Sequence, residues 1–239
     1  MNKRFITPDL TDGRIVYAAD YLEQSGCERV EQLRNADFVL LGVNPKARFF
    51  EYSLPIFAGN VEKTGVFDYT KDEAFATQNA YFTAEGAVAS AIAESKISLI
   101  NSKVLIIGYG RIGKALHRCL SVFTNNITVC VRKPEAATLA RCNGADVTTF
   151  EELKYKSDFE YIFNTVPHPV LSQTELKSFN KSVLLIELAS FPGGIDRHFA
   201  EHYGLKLLVL RGVPSIYSPV SAGITVGKTV ERMIKEVIV

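Results

Sequence analysis

Residues Lys103 to Gly113 read Lys-Val-Leu-Ile-Ile-Gly-Tyr-Gly-Arg-Ile-Gly, an apolar strand pattern running into a Gly-x-Gly-x-x-Gly turn. Helical periodicity follows at once, from Ile112 to about Phe123. Strand, glycines and helix in that order commit the segment to a βα unit of a parallel sheet, and the turn between them suits a dinucleotide phosphate. Gly108 permits the tight turn, Gly110 lets the backbone approach a pyrophosphate, and Gly113 lets the helix pack close to the strand. The open N–H groups and the dipole at the helix start favour an anion there. Gly108, Gly110, Arg111, Ile112 and Gly113 are therefore the expected pyrophosphate cradle.

The next strand pattern is Ile127 to Val131. An Asp or Glu at the end of that strand commonly binds the ribose 2′-hydroxyl of NAD. Arg132 and Lys133 stand there instead. Two cations suit a 2′-phosphate, with the guanidinium as a fork, so the expected cofactor is NADP(H) over NAD(H). The same pair also fits a solvated loop opening before Pro134.

The βαβ rhythm continues through strand patterns at Asp146–Thr148, Tyr161–Asn164, Val183–Leu188 and Lys206–Leu210, which predicts a doubly wound Rossmann-type parallel sheet over 101–218. Residues 1–82 read as a smaller α/β domain on the substrate side. Its strand patterns are Lys3–Thr7, Asp37–Val43, Leu54–Ala58 and Val66–Tyr69. A helix capped by Thr11 or Asp12 carries Ile15, Val16, Ala19 and Leu22 on its apolar face and ends at Gly26. Thr83 is the candidate N-cap of a connecting helix over 83–100 with a stripe of Ala87, Val88, Ala91, Ile92 and Ser95. Residues 219–239 read as a final helix packing back toward the first domain, with Ser221 as its candidate cap.

A formal net charge of +1, from 27 basic and 26 acidic residues, provides no field for nucleic acid or an anionic membrane. No apolar run reaches the length of a spanning helix, and the N-terminus lacks a signal-peptide pattern. Cys27, Cys119, Cys130 and Cys142 form no C-x-x-C pair and read as reduced packing residues, which places the chain in the cytoplasm. His117, on the helix after the glycine turn, reads as a surface residue. His198 and His202 are spaced i, i+4 without a third ligand, so no metal is expected.

Ligands of such sheets sit beyond the carboxyl ends of the strands. There the sequence reads Asn164-Thr165-Val166-Pro167-His168-Pro169, and the Asn164 amide suits a ribose or a carboxamide. A later loop reads Glu187-Leu188-Ala189-Ser190-Phe191-Pro192-Gly193-Gly194, whose paired glycines suit close approach to a nicotinamide. The last loop, Arg211 to Gly223, opens the final helix.

Taken in order, six blocks resemble the family of dipicolinate synthase A subunits. They are Asn79 with Thr83, Glu85 and Gly86; Gly108 to Gly113 with Arg111; Arg132; Asn164 to Pro167; Leu188 to Asp196; and Gly212 to Pro214 with Pro219 to Gly223. The match runs from about Asn79 to Lys235, and the region before Asn79 is shorter than the family pattern. The resemblance implies a two-domain dehydrogenase, related in form to the 2-hydroxyacid dehydrogenases and adenosylhomocysteinase. It implies oxidation of a dihydrodipicolinate-type intermediate to dipicolinic acid in sporulation, together with a flavoprotein-like B subunit. On that basis Asn164, Thr165, Val166 and Pro167, with Ala189, Ser190 and Gly194, line the ribose and nicotinamide. Asn79, Thr83 and Ser221 reach the substrate, and Glu85 is the candidate acid/base. A first-turn Glu favoured by the helix dipole is the plain alternative for Glu85. The chain departs from the family pattern at Phe191 and Val220, where cations are usual, and at Ser215, where glycine is usual. Those departures leave two rivals open: a non-catalytic NADP(H)-binding sensor or scaffold subunit, and a reductase of another cyclic imine or 2-oxo acid. Homo-oligomers are common for such folds.

Overall fold

A computed structural model of the chain describes residues 3–46 and 51–238. Val239, the last residue of the expected C-terminal helix, lies outside them. The chain divides into two compact units, one of residues 1–82 with 214–239, the other of residues 83–213.

The first unit holds β1 (Arg4–Ile6), α1 (Arg14–Gln24), β2 (Glu28–Arg29), β3 (Phe38–Val43), β4 (Ile56–Gly59) and β5 (Val66–Asp68). They form a parallel sheet in the order β2-β1-β3-β4-β5. The short edge strand β2 has no counterpart among the sequence expectations. It is two exposed charged residues, and only pairing to β1 defines it. One face of the sheet carries a row of rings: Phe5 stacks on Phe38, Phe38 meets Phe57 edge-on, and Phe57 stacks on Phe67, at centroid distances of 5.3–5.5 Å. Each such pair adds about 0.5–1.5 kcal/mol beyond its buried area.

Ile15, Ala18, Ala19 and Leu22 of α1 cover that row, together with Val226, Val230 and Ile234 from the last helix, α8 (Pro219–Val237). α1 and α8 approach closely because α8 places glycine at the contact. A Cβ on Gly223 would lie 2.4 Å from the Arg14 carbonyl oxygen, and one on Gly227 2.7 Å from the Tyr21 ring. α8 begins at Pro219 behind Ser218, so Ser221 lies exposed in the first turn and is not its cap. Proline at the first helical position sets φ and has no N–H to leave unsatisfied, which explains the earlier start.

The connecting helix, α2, also starts earlier than expected. It runs Glu73–Glu94. Asp72 is its cap, accepting from Phe75 N at 2.8 Å, and Phe75 packs edge-on against Tyr69. Thr83 is therefore a buried mid-helix residue, and 95–100 lie beyond the helix. Ala87, Val88 and Ala91 are buried, whereas Ile92 is half exposed.

The second unit continues with β6 (Val104–Ile107), α3 (Arg111–Leu120), β7 (Ile127–Cys130), α4 (Pro134–Cys142), β8 (Asp146–Thr148), β9 (Tyr161–Asn164), α5 (Gln173–Ser178), β10 (Leu184–Glu187), α6 (Arg197–His202) and β11 (Lys206–Val209). A short helix α7 (Val213–Tyr217) leads on to α8. The sheet is wholly parallel, in the order β11-β10-β9-β6-β7-β8. β6, β9 and β10 are buried along their whole length, as expected of strands covered by helices on both faces. The strand order reverses between β6 and β9, which defines a crevice at their carboxyl ends. No helix among the described residues is long and apolar enough to cross a membrane.

Candidate nucleotide site

The three glycines of the turn after β6 are required for three different reasons. Gly108 has φ +89°, and a Cβ there would meet Thr165 Oγ1 at 2.6 Å and Val166 Cγ2 at 2.8 Å. It is glycine because the loop after β9 packs against it. A Cβ on Gly113 would lie 2.2 Å from the Gly108 carbonyl oxygen, so this glycine closes α3 onto the turn. A Cβ on Gly110 would meet no protein atom within 4 Å. That open space lies at the N-cap of α3, where no side chain caps the first amides, and it leaves room for a phosphate. Arg111 is exposed and Ile112 half-buried at the first two positions of α3.

Tyr109, between the first two glycines, points inward. Its hydroxyl lies 2.7 Å from His117 Nδ1 and accepts from the Asn143 amide at 3.0 Å. His117 is therefore buried, not on the surface, and burial lowers its pKa below the usual histidine value. The network fastens the turn to the end of α4.

Arg132 and Lys133 are exposed, and Lys133 is the N-cap of α4. A cavity of about 230 Å³ opens beside them, lined by Arg132, Phe150, Glu151, His168, Pro169 and Val170. It joins the loops after β7, β8 and β9. Of the four free cysteines, Cys27 and Cys130 are buried, and burial pushes the Cys130 thiol up to about 12. Cys142 is exposed at the end of α4 and is not a packing residue.

The loops after β9 and β10 are arranged around Glu187, a residue for which the sequence pattern suggests no role. Glu187, 3% exposed at the end of β10, accepts from Asn164 Nδ2 at 2.8 Å and Ala189 N at 3.0 Å on one oxygen. Its other oxygen accepts from Gly194 N at 2.7 Å and Ile195 N at 3.1 Å. A carboxylate inside the apolar run Val183–Leu188, with two glycines following, is the signal the sequence holds for it. The arrangement corrects the expected role of Asn164. Its side chain is wholly buried, accepts from Val166 N at 3.1 Å, and donates to Val166 O at 3.0 Å as well as to Glu187. The amide is spent within the protein and does not face a ligand.

Gly194 is likewise fixed by packing. A Cβ there would lie 2.6–2.7 Å from Asn164 Nδ2, Val166 O and His168 O. Ala189 is buried, and its carbonyl accepts from the Arg211 guanidinium. Of the remaining residues in these loops, Thr165 and Val166 are half-buried, and Pro167 and Ser190 are exposed. The Thr165 hydroxyl donates to Ile107 O at 2.8 Å and keeps lone pairs for a donor. On α2, Asn79 and Thr83 share a face at i, i+4, and Glu85 is exposed. Among the described residues no three His, Cys, Asp or Glu side chains gather as a metal site.

A parallel sheet with its switch point at such a turn has the form of a dinucleotide-binding unit. The family model for the D-isomer specific 2-hydroxyacid dehydrogenase NAD-binding domain matches residues 74–190. The A subunit of dipicolinate synthase from Bacillus subtilis (strain 168) is 33% identical over 165 residues, 68% of this chain and 55% of that one. The chain thus spans about half the length of that curated relative. The solved A chain of dipicolinate synthase from Bacillus subtilis superimposes with a TM-score of 0.84 at 21% identity, covering 98% of this chain and 96% of that one. The corresponding protein from Bacillus halodurans does so with a TM-score of 0.82 at 19% identity, covering 98% of each chain. The chain is thus similar to the dipicolinate synthase A subunits, and over residues 74–190 it matches the NAD-binding domain of the 2-hydroxyacid dehydrogenases.

Proposed function

We propose that the chain is an NADP(H)-dependent oxidoreductase whose substrate is a cyclic dicarboxylate of the dihydrodipicolinate class. We further propose that it works in the cytoplasm with a flavoprotein-like partner subunit. The observation that carries the cofactor reading is the open space at Gly110 under the α3 N-terminus, with Arg132 and Lys133 at the end of the neighbouring strand. Gly108, Gly110, Arg111, Ile112 and Gly113 hold the pyrophosphate. Arg132 and Lys133 hold the 2′-phosphate. Thr165, Val166, Pro167 and Ser190 face the ribose and nicotinamide, and Asn164, Ala189 and Gly194 shape that wall from behind. The bound cofactor supplies the hydride acceptor. Oxidising a dihydropyridine ring passes one hydride to it and releases one proton, so the protein has only to orient the ring and accept that proton.

The test is a parallel titration with NADPH and NADH followed by cofactor fluorescence. NADPH is expected to bind at least about tenfold tighter, about 1.4 kcal/mol. Replacing Arg132 and Lys133 together with alanine is expected to remove that difference while leaving NADH binding as it was. Equal affinities in the parent would remove the 2′-phosphate assignment.

Glu85 on α2 is the proposed proton acceptor, with Asn79, Thr83 and Ser221 on the substrate side. Glu85→Gln is expected to lower turnover about 100-fold or more at unchanged NADPH affinity. Turnover equal to the parent's would take Glu85 out of the mechanism. A second reading, an NADP(H)-binding subunit without chemistry of its own, is favoured by one feature. Phe191, 89% exposed, and Val220, 47% exposed, stand where the resemblance has cations for a dianionic substrate. Tight cofactor binding without hydride transfer in the presence of the partner subunit would select it.

A further inference from the structure

A buried carboxylate with four N–H donors and, among the described residues, no ion pair has to be explained by what it holds together. Glu187 accepts from two elements at once: Asn164, the last residue of β9, and Ala189, Gly194 and Ile195 in the loop after β10. Hydrogen bonds to an ionised acceptor are about twice as strong as neutral ones, and a buried charge without them would be prohibitive. The loop after β10 wraps the carboxylate closely. Gly193 has φ +89°, and a Cβ on it would lie 3.0 Å from Glu187 Oε2.

The sheet order decides which half of a dinucleotide these loops face. β7 and β8 lie on one side of β6, and β9, β10 and β11 on the other. Arg132 marks the first side as the adenosine half, so the loops after β9 and β10 belong to the nicotinamide half. Thr165 and Val166 are half-buried and Ser190 is exposed, in the two loops that follow Asn164 and Glu187.

We propose that Glu187 is the positioning residue of the nicotinamide half-site, setting the separation of the 165–167 and 189–195 loops through its bonds to the second loop and to Asn164, whose side chain in turn holds Val166. The inference rests on the cofactor reading above. Its reach is confined to one half of the ligand, and that confinement makes it testable. Glu187→Gln presents an NH₂ group to one pair of N–H donors, either Asn164 Nδ2 with Ala189 N or Gly194 N with Ile195 N, so that pair loses its acceptor. The probes are NADPH and adenosine 2′,5′-bisphosphate, which carries the adenosine half alone, titrated against the parent and the variant.

In Glu187→Gln, NADPH affinity is expected to fall about tenfold or more, with adenosine 2′,5′-bisphosphate held within about twofold. The fluorescence of the bound reduced nicotinamide should change with it. Parental affinity for both probes would overturn the proposal. So would equal losses for both, because the carboxylate would then support the whole unit and not one half-site. Should the Gln variant fail to fold, Glu187→Asp keeps the charge and shortens its reach. It is expected to show the same split at smaller amplitude, and parental NADPH affinity in it would overturn the proposal. A parent that binds neither probe overturns the cofactor reading itself, and this inference with it.

Discussion

Gly110→Ala is expected to fold as the parent does and to lose cofactor binding, whereas Gly113→Ala is expected to lose the fold of the nucleotide unit. The two residues lie three apart in one motif, and their surroundings separate them. At Gly110 the added methyl group meets no protein atom within 4 Å, and φ is −76°, outside the left-handed region that favours glycine. The methyl group would occupy only the space that the proposed pyrophosphate would need. A melting temperature within about 2 °C of the parent is expected, since surface changes cost about 0.5 kcal/mol or less. NADPH affinity should fall at least about tenfold. At Gly113 the methyl group would lie 2.2 Å from the Gly108 carbonyl oxygen, which is backbone and has no rotamer to relieve the overlap. Overpacking costs about 1–3 kcal/mol where side chains give way, and more is expected where they do not. Thermal unfolding and NADPH titration of both variants check this. Equal cofactor loss at equal melting temperature would mean that the motif is not divided between ligand and fold as described.

The same division explains what can be read from the amino-acid order. The strand, the turn and α3 follow from short-range rules, because four apolar residues, three glycines at fixed spacing and a helical stripe all lie within about twenty residues. The row Phe5, Phe38, Phe57 and Phe67 is likewise announced by strand patterns. The start of α2 is hidden because its first turns, Glu73, Ala74, Thr77 and Gln78, are mostly exposed and carry little contrast in polarity. A capping Asp at 72 then carries less weight than a Thr placed ahead of a small-residue stripe. The burial of His117 is hidden for another reason. Its partner, Tyr109, occupies an x position of the glycine motif, and nothing in the motif says that this residue turns inward.

Asn164 shows the limit most sharply. An asparagine at a strand end facing a crevice has the chemistry to contact a ribose. Its amide is spent on Glu187, which is 23 residues away in sequence and adjacent only because β9 pairs with β10 in register, Asn164 beside Glu187. Long-range pairing of this kind decides whether a polar side chain serves the ligand or the protein, and residue type alone does not carry it. On the proposed assignment, the nicotinamide wall would consist of backbone and short side chains held from behind, and specificity there would depend on loop spacing more than on any single contact.

Asp12→Asn is expected to give the largest loss of stability in the first unit. Asp12 accepts from Arg14 N at 3.1 Å, Arg14 Nε at 2.9 Å, Arg14 Nη2 at 2.7 Å and Val43 N at 3.2 Å, tying the start of α1 to the end of β3. Both side chains of the ion pair are close to nine-tenths buried. Removing one charge leaves the Arg14 guanidinium buried without its partner, and changes of that kind cost about 3–5 kcal/mol. Domains have only about 5–15 kcal/mol to lose. The pH dependence gives an independent check. Burial pushes the Asp12 carboxyl upward, and the Arg14 guanidinium with the Val43 and Arg14 amides outweighs it, leaving the folded pKa below the usual carboxylate range. A depressed folded pKa means that the unfolded chain binds the proton first, so stability falls as pH falls. The contribution of Asp12 is complete above the unfolded value, about 4, and is lost below it as pH passes the lower folded value. Asp37 and Asp72 are also held low, but both forms of the protein share them, and they cancel in the difference. Parent and Asp12→Asn should therefore differ by a constant amount above about pH 5 and converge below about pH 4 in urea unfolding followed over that range. A difference that stayed constant into acid would mean that the charge of Asp12 is not what holds α1 to β3.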